Sequence, residues 1–455
     1  MEQSLIKTLI YNNISRLYIL TAFFSFKMDT LERIYEYYSK QYIVTTDSRK
    51  IEDGCVFVAL KGERFDGNDF AYQVANDGVA SCVIADRKDM PYHERLFIVE
   101  DSLSTLQQLA RLHRERCNIP IIGITGTNGK TTTKELVSSV LSKKYNIIYT
   151  QGNFNNHLGV PLTLLRIKPD TELAVVEMGA NHPGEIAQLC KLAQPDFGII
   201  TNIGKAHIEG FGSFEGVIKT KNELYQYLKT KGKSLKTKVF VNDNNELLMN
   251  LSEGMERVVY GTKGKWQKTN GKSPFLEINW NHDIIKTKLV GDYNYENVMA
   301  AIAVGTYFGV EENLIIEALE NYVPSNNRSQ FITSEKNEIV MDAYNANPSS
   351  MHHSITNFRK IADENSLLIL GDMKELGCES ENEHSNIIKL LKELDFKDVI
   401  LVGDEFKKVS GNTNYKNFDN VDELISYIRH NDIAGKRILI KGSNSTRLEK
   451  LANVL

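Results

Sequence analysis

Nothing in these 455 residues offers a disulfide frame or a structural zinc site. The five cysteines, Cys55, Cys82, Cys117, Cys190 and Cys378, are odd in number, scattered and never in a C-x-x-C pair, which points to a reducing, cytoplasmic setting. Charge of one sign is not in excess either. With 54 Lys and Arg against 58 Asp and Glu the formal net charge is -4, so there is no global electrostatic argument for a nucleic-acid or membrane partner. No heptads or long apolar stripes outside the expected cores suggest an obligate partner, and the expectation is a monomer. No Ser-His-Asp or Cys-His pattern supplies a side-chain nucleophile. The one compositional oddity is Met1 to Lys27, where Leu17 to Phe26 is apolar behind Lys7 and Arg16. This stretch is too short to span a bilayer and lacks a small-x-small cleavage site. The expectation is that translation begins at Met28 and that residues 1–27 are a start-site artefact or a disordered extension.

What is present is a phosphate-binding loop. Asn118 to Thr125 reads as a buried parallel strand, and Thr131 to Lys144 as a helix with Leu136, Val140 and Leu141 on one face. Between them Gly126-Thr127-Asn128-Gly129 brings backbone N–H groups and a helix N-terminus around a phosphate. Lys130 would reach the β/γ-phosphates of a nucleoside triphosphate and the Thr131 hydroxyl would ligate Mg²⁺, with Thr132 beside it. The usual G-x-x-x-x-G-K-[ST] spacing wants a glycine at position 124, which is Ile124, so the working loop is the shorter Thr125-Gly-Thr-Asn-Gly-Lys-Thr131.

The length implies about three domains at roughly 100–200 residues each. The pattern is α/β throughout: a small unit over residues 28–118, a central unit over 119–324 and a third over 325–455. In the first, Asp47-Ser48-Arg49 is either a turn with a capping serine or a loop that holds a ligand. In the second, two further apolar strands end in chemically capable residues, Glu177 and His207. Ligands of parallel sheets sit beyond the carboxyl ends of strands, so Thr131, Glu177 and His207 could share one Mg²⁺-phosphate site, although a lone histidine is as readily structural. Lys221 lies in a short helical stretch and reads alone as a solvated lysine. Asn294 and Asn297 open a later helix, as caps or as readers of a purine edge. The third unit alternates strand and helix, reads as a second open parallel sheet and has no phosphate loop. An arginine before it, Arg328, would suit transition-state charge on a transferring phosphoryl group.

Taken in order, Asp47-Ser-Arg49, Thr125 to Thr131, Gly152-Asn-Phe-Asn-Asn-His-Leu-Gly-Val-Pro161, Glu177-Met-Gly179, Asn202-Ile-Gly-Lys-Ala-His207, Asp342-Ala-Tyr-Asn-Ala-Asn-Pro348, Gly371-Asp-Met-Lys-Glu-Leu-Gly377 and Lys441-Gly-Ser443 resemble the Mur ligases of peptidoglycan synthesis. The resemblance runs from about Met28 to the C-terminus. It implies an N-terminal domain for the UDP moiety, a central P-loop ATPase domain and a C-terminal Rossmann-like domain that brings the amine. The Tyr344-Asn-Ala-Asn-Pro348 and Gly371 blocks favour the member that joins D-alanyl-D-alanine to UDP-N-acetylmuramoyl-tripeptide. Other amide ligases of the superfamily, or a non-catalytic nucleotide sensor, are the alternatives. By the same resemblance Ser48 and Arg49 lie near uridine, and Asn155 and Asn156 near the muramoyl-peptide path. Asn297 faces adenine, Arg328 the phosphates, and Asn345, Asn347 and Lys441 the dipeptide. Lys221 falls where several Mur ligases carry a carbamylated lysine that binds a second Mg²⁺. One departure is Asn68, where relatives commonly have histidine.

Overall fold

The computed structural model describes residues 30–231, 237–261, 265–267, 274–325 and 327–455; the expectations about residues 1–27 lie outside the described residues. The chain divides into two compact units, one of residues up to 118 together with 157–170, the other of residues 119–156 and 171–455.

The first unit is built on four parallel strands, β1 (Val44–Thr45), β2 (Val56–Val58), β3 (Cys82–Ala85) and β4 (Leu96–Ile98), in sheet order 1-2-3-4. β2 and β3 are buried along their whole length, as continuous apolar runs covered on both faces must be. Helix Asn68–Asp77 lays Ala71, Val74 and Ala75 on Phe57 and Val83. Helix Ser102–Arg116 starts at an Asp101 cap, whose carboxylate accepts from Ser104 N. Residues 157–170, although inserted in the sequence of the second unit, belong here. Helix Gly159–Leu164 packs on Ser102–Arg116, Tyr38 donates to Leu165 O at 3.0 Å, Gln107 to His157 O at 3.0 Å, and a ring nitrogen of His113 meets Ile167 O at 2.9 Å.

The second unit carries two six-stranded sheets. The first is all parallel: β5 (Ile121–Thr125), β6 (Ile147–Tyr149), β7 (Leu173–Glu177), β8 (Phe197–Ile200), β9 (Lys238–Asn242) and β10 (Arg257–Tyr260), ordered 10-9-8-5-7-6. Strand order reverses at β5, so its carboxyl end opens a crevice between neighbouring crossovers. Helix Lys130–Leu141 and helix Tyr295–Tyr307 cover one face, packing Leu136, Val137, Val140, Val298 and Ile302 on Ile122, Ile124, Val175 and Ile199. A three-stranded antiparallel sheet follows, β11 (Lys265–Gln267), β12 (Phe275–Trp280) and β13 (Asp283–Val290).

The last sheet comprises β14 (Gln330–Thr333), β15 (Glu338–Asp342), β16 (Ser366–Gly371), β17 (Val399–Val402), β18 (Lys416–Phe418) and β19 (Arg437–Lys441), ordered 14-15-19-16-17-18. The expectation of a wholly parallel sheet is corrected at one edge. β14 runs antiparallel to β15, because residues 334–337 reverse the chain tightly, with Ser334 N donating to Asn337 O at 2.9 Å. Helices Pro348–Arg359 and Ser380–Glu393 bury one face of this sheet and helix Val421–His430 the other. Among the described residues no helix is long and apolar enough to cross a membrane.

Candidate active site

The chain leaves β5 through Thr125, whose hydroxyl donates to Met178 O at 2.8 Å, and enters helix Lys130–Leu141 through Gly126-Thr-Asn-Gly129. Gly126 has φ +146°, and a Cβ there would lie 2.0 Å from Thr201 Oγ1; Gly129 has φ +76°, with a Cβ 2.5 Å from Asn297 Oδ1. Side chains are therefore excluded at both positions by backbone angle and by space.

The segment after β8 holds the loop in shape. Thr127 N donates to Asn202 O at 2.9 Å and Asn128 N to Asn202 Oδ1 at 2.9 Å. The Asn128 carbonyl accepts from Thr201 Oγ1 at 2.6 Å and Asn202 Nδ2 at 3.1 Å, and Thr127 Oγ1 both donates to Gly204 O and accepts from Gly204 N. Sequence reasoning gives Thr201 and Asn202 no role. The signal available was a pair of polar residues directly after a buried strand.

Lys130 curls over its own loop, donating to Gly126 O at 2.8 Å and Thr127 O at 2.9 Å. Desolvation pushes its amine down to about 8; Glu177 opposes that shift and Arg328 adds to it. Thr132 is partly exposed on the first turn, and Thr133 donates to Asn297 Oδ1 at 3.0 Å. Asn297 Nδ2 donates to Asn294 Oδ1 at 2.9 Å, and Asn294 Nδ2 to Val290 O at 2.8 Å. Neither asparagine caps its helix by a side-chain bond. Instead Asn297 braces Gly129 and the helix behind the loop.

Glu177 ends β7 fully buried. Thr131 Oγ1 lies 3.1 Å from its Oε1, Asn155 Nδ2 donates to the same oxygen at 2.8 Å, and Oε2 has no partner among the described residues. A buried carboxylate oxygen without a donor, beside a hydroxyl, is a hard-oxygen set suited to a small divalent cation. Asn156 is exposed at the end of this segment. His207, in the left-handed region at φ +51°, faces the C-terminal part of the unit, where its Nδ1 pairs with Glu375 and holds that carboxyl below its usual range.

Lys221 is no solvated lysine. It lies on an 18-residue helix, Phe214–Lys231, is 2 % exposed, donates to Ala180 O at 3.2 Å and stands over the Phe211 ring. Desolvation, and then the charge of Lys130, push its amine down to about 7 against the pull of Glu185 and Glu223. Arg328 stacks its guanidinium 3.6 Å from the Tyr344 ring centroid, with Nε buried and without a hydrogen-bond partner among the described residues.

Asn347 caps helix Pro348–Arg359 and donates to Asn128 Oδ1 at 2.8 Å. Asn345 is exposed, its Oδ1 accepting from Ala346 N. Lys441, 2 % exposed, spends its amine on Asp342 Oδ2 at 2.6 Å. Thr131, Glu177 and Asn155 are thus in contact. Lys130, Lys221 and Arg328 lie within charge range, and Asn128 touches Asn347. Ser48 and Arg49 belong to the first unit, where Arg49 forks onto the Asp47 carboxylate at 2.8 and 2.9 Å. Asn68 there is 4 % exposed, and its amide bonds to Asp66, Asp86 and the Asp86 and Arg87 backbone, so it is a structural node.

A glycine loop at the switch point of a parallel sheet, with an acid on the adjacent strand end, defines a P-loop nucleotide-binding enzyme. Three domain models match in order: the Mur ligase family catalytic domain over residues 40–114, the Mur ligase middle domain over 124–305, and the Mur ligase glutamate ligase domain over 327–444. The chain belongs to the Mur ligase family. It is 34 % identical over 436 residues to a UDP-N-acetylmuramoyl-tripeptide–D-alanyl-D-alanine ligase of Bacillus subtilis, covering 90 % of this chain and 92 % of that one. The enzyme of that name in Escherichia coli is 33 % identical, over 90 % and 93 %. Among solved structures, MurF from Acinetobacter baumannii superposes with a TM-score of 0.79 at 30 % identity, over 90 % and 92 % of the two chains. MurF ligase from Thermotoga maritima in complex with ADP gives 0.77 at 29 %, over 90 % and 96 %.

Proposed function

We infer that this chain is the ATP-dependent ligase that joins D-alanyl-D-alanine to UDP-N-acetylmuramoyl-tripeptide, giving UDP-N-acetylmuramoyl-pentapeptide for the cell wall. The observation that carries the reading is the built phosphate loop with Glu177 beside Thr131, in a chain alike over nine-tenths of its length to ligases of that name. The reading includes a cytoplasmic monomer, a compartment in keeping with five free cysteines.

A carboxylate is a poor electrophile. An oxygen of the tripeptide's terminal carboxylate attacks the γ-phosphorus of ATP, the bond to the β-phosphate oxygen breaks, and an acyl phosphate and ADP result. The dipeptide amine then attacks the carbonyl carbon, loses a proton, and the tetrahedral intermediate expels inorganic phosphate. The loop N–H groups and Lys130 hold the phosphates, and Arg328 stabilises the charge in transfer. Thr131 and Glu177 would hold Mg²⁺, with His207 turned from Glu375 and Lys221 as further ligands; the ion supplies charge neutralisation on the phosphates. Asn297 backs the loop next to the adenine side, Ser48 and Arg49 serve uridine, Asn155 and Asn156 the muramoyl-peptide, and Asn345, Asn347 and Lys441 the dipeptide end.

Lys221 as an ammonium cannot ligate a cation, but as a carbamate it can. The carbamate forms when the neutral amine adds to the carbon of dissolved carbon dioxide and releases one proton to solvent. At pH 8 an ordinary lysine with a pKa of about 10.4 is neutral in roughly one molecule in two hundred and fifty, whereas Lys221, held near 7, is mostly neutral.

The test is phosphate release from ATP with UDP-N-acetylmuramoyl-tripeptide, Mg²⁺ and D-alanyl-D-alanine together and each omitted in turn. Release that needs all of them, with a pentapeptide product by mass, is expected. Turnover driven by another amino acid in place of the dipeptide would keep the family and overturn the assignment within it.

A further inference from the structure

Asn347 has each end of its side chain committed. Its Oδ1 accepts from Ser350 N at 2.8 Å while Asn347 N donates to Ser350 Oγ at 3.1 Å, a reciprocal capping box ahead of Pro348. The cap fixes the side chain, so Nδ2 is presented to Asn128 Oδ1, 2.8 Å away, with little rotamer freedom left to lose. Asn128 is equally committed. It sits between Gly126 and Gly129, with its N–H on Asn202 and its carbonyl under Thr201 and Asn202. A pull on its side chain therefore acts on the backbone that must wrap the phosphates.

The same bracket continues. The segment that grips the loop through Thr201, Asn202 and Gly204 goes on to meet the C-terminal sheet's helices and loops, Lys205 on Glu383 at 3.4 Å and His207 on Glu375. Ser349, two residues from the cap, lies against Gly204.

We propose that Asn347 is a positioning residue that latches the C-terminal domain onto the phosphate loop through Asn128, so that the loop takes its nucleotide-holding shape when the acceptor-bearing domain is docked. This rests on the ligase reading and extends it. The consequence is that ATP is held and spent in step with docking of the domain that brings the amine, which protects the acyl phosphate from water. Energetic coupling between sites is reciprocal, so loosening the latch weakens nucleotide binding with no dipeptide present.

The test is a double-substitution cycle on the full chain. Asn347→Ser keeps a capping hydroxyl but cannot reach Asn128; Asn128→Ser removes the other half; Asn347→Asp keeps the cap and can accept from Asn128 once that amide turns over. ATP and ADP affinity are measured by calorimetry without acceptor, alongside kcat and the separate KM values. Expected are a three- to tenfold loss of nucleotide affinity in either serine variant, no further loss in the double variant, and near-normal affinity in Asn347→Asp. A rise confined to the D-alanyl-D-alanine KM, or losses that multiply in the double variant, would overturn the latch. If Asn347→Ser does not fold, Asn128→Asp and Asn347→Asp carry the comparison: Asn347→Asp alone stays near normal, whereas added to Asn128→Asp it costs a further three- to tenfold because two carboxylates then face each other, and no further loss there would overturn the latch. Failure of the ligase reading looks different: the unaltered chain would make no pentapeptide while binding nucleotide normally.

Discussion

The Thr131 hydroxyl sits 3.1 Å from Glu177 Oε1, and the other oxygen of that buried carboxylate has no partner among the described residues. Replacing Glu177 by Gln keeps the shape and removes the charge. We expect kcat to fall by at least about a hundredfold, with a higher Mg²⁺ requirement, and the unfolding midpoint not to fall by more than a few degrees, since the amide oxygen of Gln can keep the contacts with Thr131 and Asn155 while the cost of burying the charge is removed. Steady-state rates across Mg²⁺ concentrations and a thermal melt check both. Unchanged turnover at unchanged Mg²⁺ would remove Glu177 from the site.

Lys221 gives a pH signature. Its folded amine is held near 7 by burial and by Lys130, and in the unfolded chain it titrates near 10.4. Below pH 7 both states carry the proton and the burial cost is constant; between about 7 and 10.4 the unfolded chain binds more protons, so stability rises with pH. Lys221→Met removes that cost. In carbon-dioxide-free buffer the variant should melt a few degrees above the parent at pH 7, the gap closing towards pH 10; a gap independent of pH would contradict the lowered pKa. Lys221→Ala should also lose turnover and regain part of it with a small added carboxylate.

Arg328 is aimed by unusual backbone. Its neighbours Asn327 and Ser329 stand at φ +56° and +48°, Ser329 N donates to Asp342 Oδ1 at 3.2 Å, and Ser329 Oγ meets the Tyr293 hydroxyl at 2.6 Å. Lysine lacks the flat fork that stacks on Tyr344. Arg328→Lys should therefore lower kcat by about ten- to a hundredfold, close to the loss in Arg328→Ala. Retention of most activity in the lysine variant would mean that charge alone suffices.

Asn68 donates from one Nδ2 to both Asp66 and Asp86. Asn68→Asp brings a third carboxylate to that pair, so at pH 7 it should destabilise the first unit by about 2–4 kcal/mol. The introduced acid has a raised folded pKa, so the penalty is absent below its unfolded value near 3.9 and grows as pH rises past it. Unfolding of Asn68→Asp against Asn68→Ala, compared at pH 5 and 7, isolates the effect. An equal difference at both pH values would refute the like-charge account.

The elements legible in the sequence are those set by local pattern. The β5 apolar run, the two loop glycines and the following helix are where spacing puts them, within one to three residues at the helix ends. Glu177 was legible as a strand-end acid for the same reason. Residues whose partners lie far along the chain were not. Lys441 has only the dipeptide role that the resemblance implies, and its pairing with Asp342 is not seen until β19 aligns with β15 and sets the two opposite each other. Asn297 reads as a cap or as a reader of a purine edge, yet Thr133, 164 residues away, donates to its oxygen. Lys221 looks solvated because its burial is made by Phe211 and the loop after β7. The antiparallel β12–β13 pair did leave a local trace, Asn281 at φ +53° between two alternating stretches.

The first unit is not continuous in sequence, since helix Gly159–Leu164 and the carbonyls that Tyr38 and His113 meet come from beyond β5 and β6. During synthesis, residues 30–118 therefore emerge with one helix face uncovered. They must wait until the phosphate loop and the first strands of the next sheet have been made, so these two regions mature together rather than in order of translation. A fragment cut at residue 118 should be a poor folder, and one that also supplies residues 157–170 in trans should be rescued.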